Sequence, residues 1–149
     1  MKRGELLGNM IVLATNAHAG QFDKAGKPYI LHPIRVLSRV KSDDEIVQAA
    51  AILHDVIEDT PTTYQDIRNL GGTDELIEVV KAVTKVPGET QEEYEERVMS
   101  NRKAMIVKMA DLEDNSDISR LKGVTEKDIK RTIKYHMLYL KLKENLENG

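Results

Sequence analysis

Apolar residues recur at helical spacing along most of the chain. Leu6, Leu7, Met10, Ile11 and Ala14 mark one face of a first amphipathic segment, and Leu76, Val79, Val80 and Val83 mark another. A third stripe, Ile129, Ile133, Met137 and Leu140, runs along the last segment. Alternating apolar and polar runs bounded by hairpin turns are absent. Helix-start signals punctuate the pattern. Ser42 to Glu45 and Thr90 to Glu93 have capping-box form, and Thr63, Thr73 and Thr125 each precede acidic residues. Together they predict an all-α fold of about seven helices, near 4–19, 31–41, 43–58, 63–70, 73–85, 90–117 and 125–147. The stretch 20–30, GQFDKAGKPYI, is too long for a mere turn.

Length and composition bound this picture. The 149 residues fit a single domain, 1–149, with one proper core. Aromatics are 4%, so that core must be built from Leu, Ile, Val, Ala and Met. A net charge of −3 argues against a nucleic-acid binder, which needs a basic surface. It leaves room for a small anionic substrate held by a local basic cluster. The absence of cysteine excludes disulfides, thiolate metal sites and a Cys nucleophile, and a cytoplasmic setting is the default. The N-terminus is no signal peptide, because Glu5 and Asn9 interrupt its apolar run, and no membrane association is expected.

One polar cluster interrupts the apolar pattern. The segment Ile52–Thr60, ILHDVIEDT, carries His54, Asp55, Glu58 and Asp59. On a wheel of ~100° per residue these four fall within about 140°, while Ile46, Ala49, Leu53, Val56 and Ile57 take the opposite arc. A solvated face is the simple reading. Against it, the arc holds three acids with no Lys or Arg to offset their repulsion. It also pairs a His with an Asp, donors that suit a divalent cation. A second His stands in PYILHP, where Pro33 starts the next helix and holds His32 at its N-terminal end. Asp111 breaks the apolar run VKMADLEDN, with Asn115 one turn later on the same face.

The pieces AHAGQ (17–21), GKPYILHP (26–33), AAILHDVIEDT (50–60), AVTK (82–85) and VKMADLEDN (107–115) stand in an order that resembles a known family. It is that of the HD-domain phosphohydrolases, in particular the hydrolase domain of the RelA/SpoT alarmone enzymes and the small alarmone hydrolases. The resemblance runs from about 14 to 140. It implies that His32, His54, Asp55 and Asp111 ligate one divalent metal, with Mn2+ favoured by the family and Fe or Zn equally suited to an N2O2 set. It implies that Glu58 and Asp59 position and deprotonate the attacking water. Lys24, Asn115, Arg131 and Tyr135 match substrate-contacting positions, the last two one turn apart on the final helix. The implied activity is metal-dependent 3′-pyrophosphate hydrolysis of (p)ppGpp-like nucleotides. The competitors are an HD phosphohydrolase acting on another nucleotide such as ppApp, and a module that senses a nucleotide without cleaving it.

Two departures qualify the match. Asp23 stands where the family has a basic residue against which guanine packs, and Leu112-Glu113-Asp114 replaces an Arg-Leu-His run. A carboxylate offers no planar cation, so guanine and adenine should be weakly discriminated, and Asp23→Arg should lower KM. Neither His18 nor His136 is expected at the metal. His18 should meet the last carbonyls of helix 1, and His136 should lie on a solvated face. Oligomeric state is not legible in the sequence.

Overall fold

A computed structural model describes residues 1–149. The chain forms α1 (Glu5–Ala17), α2 (Leu31–Arg39), α3 (Glu45–Leu53), α4 (Val56–Asp59), α5 (Tyr64–Asn69), α6 (Asp74–Val83), α7 (Gln91–Met99), α8 (Arg102–Asn115) and α9 (Glu126–Asn148). A 3-10 turn at Ile118–Arg120 links α8 to α9. The fold is all-α, as the periodicity predicts. No helix is long and apolar enough to cross a membrane.

The centre of the molecule is α3. Apart from Glu45 and Gln48 its sequence EIVQAAAIL is apolar, and Val47, Ala49, Ala50, Ala51, Ile52 and Leu53 are all buried. The alanines let α1, α2, α6 and α8 approach closely around it. Met10, Val36, Val80 and Val107 fill the main core from those four neighbours. Each such large side chain stabilises the fold by roughly 1.5–3 kcal/mol when fully buried. A smaller core joins Tyr94 and Val98 of α7, Met105 and Leu112 of α8 and Leu142 of α9.

Two predicted helices are each broken in two. The expected 43–58 helix stops at Leu53 and resumes as the single turn α4. At the break, His54 turns its Nδ1 back onto the Ala51 carbonyl at 2.7 Å, and Asp55 takes φ −109° and ψ −3°. The four polar residues therefore do not share one solvated arc, since His54 is 4% exposed. The expected 90–117 helix breaks at Ser100–Asn101, where Asn101 accepts the Ala104 N–H at 3.1 Å and caps α8.

Capping follows the sequence with one exception. Thr63, Thr90 and Thr125 form complete capping boxes and Thr73 caps α6. Ser42 does not cap α3. Asp44 does, accepting the Ile46 N–H at 2.9 Å, while Ser42 Oγ accepts the Asp44 N–H at 3.1 Å. The expected stripe of α9 also faces outward: Ile129, Ile133, Met137 and Leu140 are 46–65% exposed. The face that docks carries Tyr135, Leu138, Tyr139, Leu142 and Leu146 instead.

Candidate metal centre

His32 lies in the first turn of α2, with Pro33 beside it. His54 and Asp55 occupy the α3–α4 break, and Asp111 projects from α8. These elements bring all four side chains to one point. His32 Nε2 lies 2.9 Å from Asp111 Oδ1 and 3.2 Å from His54 Nε2. His54 Nε2 lies 3.0 Å from Asp55 Oδ2 and 3.2 Å from Asp111 Oδ1, and His32 Nε2 is 3.6 Å from Asp55 Oδ2.

The donor set fits a divalent cation. A tetrahedral ion with bonds of ~2.1 Å sets its ligand atoms ~3.4 Å apart, close to the spacings found. Both rings are also oriented for it. His54 Nδ1–H donates to the Ala51 carbonyl and His32 Nδ1–H donates to Asp114 Oδ2 at 2.6 Å, so Nε2 is the atom that each ring would offer to a cation. Burial pushes His54 down, yet Asp55 and Asp111 override it and hold the ring well above its ordinary value.

Asp114 was not singled out by the sequence, and it anchors the site from behind. Its side chain is fully buried. Besides His32, it accepts Nε–H donors of Arg35 at 2.8 Å and Arg39 at 3.2 Å. Burial pushes its carboxyl up, but His32 and Arg35 hold it far below the usual range. Two more groups escaped notice. The Tyr29 hydroxyl donates to Asp55 Oδ2 at 2.5 Å, and Lys108 Nζ donates to Asp111 Oδ2 at 2.9 Å. Tyr29 thus holds the Asp55 oxygen that faces the two imidazoles, and Lys108 holds the Asp111 oxygen that faces away from them. Only the apolar company of Lys108 hinted at this.

Glu58 and Asp59 stand beside the four ligand candidates without joining them. Glu58 Oε1 accepts the Lys85 backbone N–H at 2.5 Å, and Glu58 lines the same cavity of about 190 Å3 as His32, His54, Asp55 and Asp111. Burial pushes the Glu58 carboxyl up, against the Lys85 bond. Burial and then Asp55 push Asp59 up as well.

A second cavity of about 340 Å3 opens alongside and contains Lys24, Asn115, Arg131 and Tyr135. The two cavities share Tyr29, His32, Asn115 and Tyr135 as a common wall. Asn115 Nδ2 donates to Asp111 Oδ1 at 3.0 Å, and Arg131 pairs with Asp128. Asp23 is not a free negative charge in this cavity. Its Oδ1 accepts the N–H groups of Ala25 and Lys27, both at 2.9 Å, and its Oδ2 lies 3.8 Å from Arg120. The loop 20–30 is thus ordered around Asp23, with an isolated bridge between Phe22 and Pro28. Asp23→Arg would remove the acceptor of two backbone N–H groups that order this loop, as well as the charge at the cavity. Within the Leu112–Asp114 run only Asp114 reaches the site. Leu112 is core, and Glu113 accepts the Tyr139 hydroxyl at 3.3 Å.

His18 departs from expectation. Its ring does not reach the α1 carbonyls but meets Gln21 Oε1 through Nδ1 at 2.8 Å, and it is buried. His136 is exposed, as expected.

Known proteins resemble the chain. A relative from Escherichia coli K12, described as the bifunctional (p)ppGpp synthase/hydrolase SpoT, is 42% identical over 101 residues, 66% of this chain. The 3′-pyrophosphohydrolase of guanosine-3′,5′-bis(diphosphate) from Vibrio cholerae is 34% identical over 140 residues, 87% of this chain. The chain spans 14% and 20% of the lengths of those two relatives. Among solved structures, one of a metazoan ortholog of SpoT described as hydrolyzing ppGpp superposes with a TM-score of 0.71. It is 24% identical, with 99% of this chain and 97% of that one covered, and so it shares the fold. A family model described as the HD domain matches residues 11–114, taking in His32, His54, Asp55 and Asp111 together, and on that match the chain belongs to the HD-domain family.

Proposed function

We propose that the chain is a metal-dependent 3′-pyrophosphohydrolase of (p)ppGpp-like nucleotides, acting as one HD domain over 1–149 in the cytoplasm. The observation that carries this reading is the pair of cavities with a common wall. One gathers two imidazoles and two carboxylates around a point with Glu58 beside them. The other has the volume for a nucleoside and a largely apolar lining set with Lys24, Asn115 and Arg131. The relatives' printed activities supply the substrate class.

His32, His54, Asp55 and Asp111 would hold the ion, with Mn2+ favoured and Fe or Zn compatible with the same donors. Such an ion supplies Lewis-acid polarisation of a phosphoryl oxygen and makes a water more acidic. Glu58, pinned through one oxygen by Lys85, keeps the other free to accept the proton of the attacking water. Its raised proton affinity suits a base better than an ordinary carboxylate. Asp59, one residue on, helps to place the water. Asn115 and Tyr135 face the nucleotide from the common wall, Arg131 from the last helix and Lys24 from the loop. An Arg offers bidentate phosphate contact and a Tyr offers stacking area.

A second reading, an adenosine alarmone as substrate, is favoured by one observation. Asp23 is committed to its own loop and presents no stacking plane or free donor to a base. The test incubates Mn2+-loaded protein with ppGpp, ppApp and dNTPs and separates the products by chromatography. Pyrophosphate with GDP from ppGpp supports the main reading, and turnover of ppApp alone supports the second. No release from either nucleotide overturns both. Asp55→Ala should abolish both metal binding and turnover, since the remaining acids would then repel one another around an incomplete ligand set.

A further inference from the structure

One buried titratable side chain has no place in the reaction as described. His18 ends α1 and is 2% exposed, yet its Nε2 has no hydrogen-bond partner. A buried polar atom without a partner costs stability, so an apolar residue there would serve packing better. The contribution of the ring lies at its other nitrogen.

The bonds around Gln21 define that contribution. Gln21 Nε2 donates to the backbone carbonyl of Asp59 at 2.8 Å, which fixes the orientation of the amide. Its Oε1 therefore faces His18 and accepts the Nδ1–H at 2.8 Å. The chain of contacts runs from the end of α1, through the loop, to the last residue of α4. That short helix needs support. It has four residues, and one turn has no stability of its own. Its last carbonyls lie past the reach of helical partners, and Gln21 takes the one at Asp59. Glu58 is pinned separately, by the Lys85 N–H.

We propose that His18 and Gln21 are positioning residues, a clamp that holds the α4 turn so that Asp59 faces the attacking water. The proposal rests on the hydrolase reading above. The clamp touches none of the four ligand candidates, and it meets the cavity wall only through Tyr29, whose ring centroid lies 5.0 Å from that of His18 and whose N–H donates to the Gln21 carbonyl at 2.9 Å. Its loss should misplace the acid pair and leave binding intact.

The test compares wild type with His18→Leu, Gln21→Glu and the conservative His18→Asn. Leu keeps the bulk and removes the donor. Glu sets an oxygen against the Asp59 carbonyl. Asn restores an N–H at the Nδ1 position. Amide exchange at Asp59 and Thr60 reads the clamp itself, independent of turnover. Both disrupting variants should exchange faster there, and kcat should fall by ~10–100-fold, the scale of a misplaced catalytic group. KM and bound Mn2+ should stay at wild-type levels, and His18→Asn should recover most of kcat. If His18→Leu does not fold, Gln21→Glu, at a half-buried loop position, carries the same test. Unchanged α4 exchange, or unchanged kcat with faster exchange, overturns the clamp alone. A wild type that binds Mn2+ but cleaves no nucleotide overturns the hydrolase reading and the purpose of the clamp with it.

Discussion

Substituting Asp114→Asn changes no volume and removes one charge from the most enclosed carboxylate in the molecule. The native group receives His32 Nδ1–H on Oδ2 at 2.6 Å and the Nε–H of Arg35 and Arg39 on Oδ1 at 2.8 and 3.2 Å. An amide has one acceptor oxygen. Its NH2 must face either the imidazole N–H or the guanidinium N–H, donor against donor. Each hydrogen bond to a charged group is worth about 1.5–3 kcal/mol, and breaking a buried pair costs ~3–5 kcal/mol. Arg35 and Arg39 are 30% and 32% exposed, so water screens their unpaired charge and the lower end applies. We expect a loss near 3 kcal/mol in urea unfolding of metal-free protein, with the m-value unchanged. Mn2+ affinity measured by calorimetry should fall 10–100-fold, because His32 loses the partner that sets its tautomer. A loss below about 1 kcal/mol, or an unchanged affinity, would refute this reasoning.

Asp44→Ala removes the α3 cap and should cost ~1 kcal/mol. Lys103 holds the Asp44 carboxyl below its ordinary value, so its contribution is full above pH ~4 and fades as pH falls through the native value. Urea midpoints of wild type and variant should converge in acid, and a constant gap would contradict the assignment. Tyr29→Phe removes the donor to Asp55 Oδ2 and should weaken Mn2+ binding about tenfold in calorimetry. Unaltered affinity would assign the hydroxyl no part in the centre. Glu58→Gln keeps the shape but cannot take a proton. Hydrolysis should drop ~10²–10⁴-fold with metal content unchanged, and a wild-type rate would show Glu58 to be misassigned.

The helical fold was legible because apolar spacing and Thr caps are local signals. Breaks inside helices were less so. Nothing in the wheel of 43–58 distinguishes a continuous helix from one that ends where a histidine bonds back to its own turn, as His54 does to Ala51. The outward stripe of α9 was misread because that helix carries two apolar faces, and only tertiary packing selects Leu138 and Leu142 over Ile133 and Met137. At the site, residues whose types carry chemistry were found from sequence. The structure brings His32, His54, Asp55 and Asp111 together. Asp114, Tyr29 and Gln21 act through a contact on another helix or loop, 82, 26 and 38 positions away in the chain. Such partners have no local signature.

The scatter of the four ligand candidates along the chain has a thermodynamic consequence. His32 and Asp111 lie 79 positions apart and meet only when α2, α3 and α8 are packed. The unfolded chain offers no comparable site, so an ion that binds here selects the native state. Free ion at 100 times its dissociation constant adds about 2.7 kcal/mol to unfolding, a large share of a typical domain's 5–15. The centre then acts as a reversible cross-link through three helices. Its strength is set by the free ion concentration, so the melting temperature should climb with the logarithm of that concentration and drop on chelation.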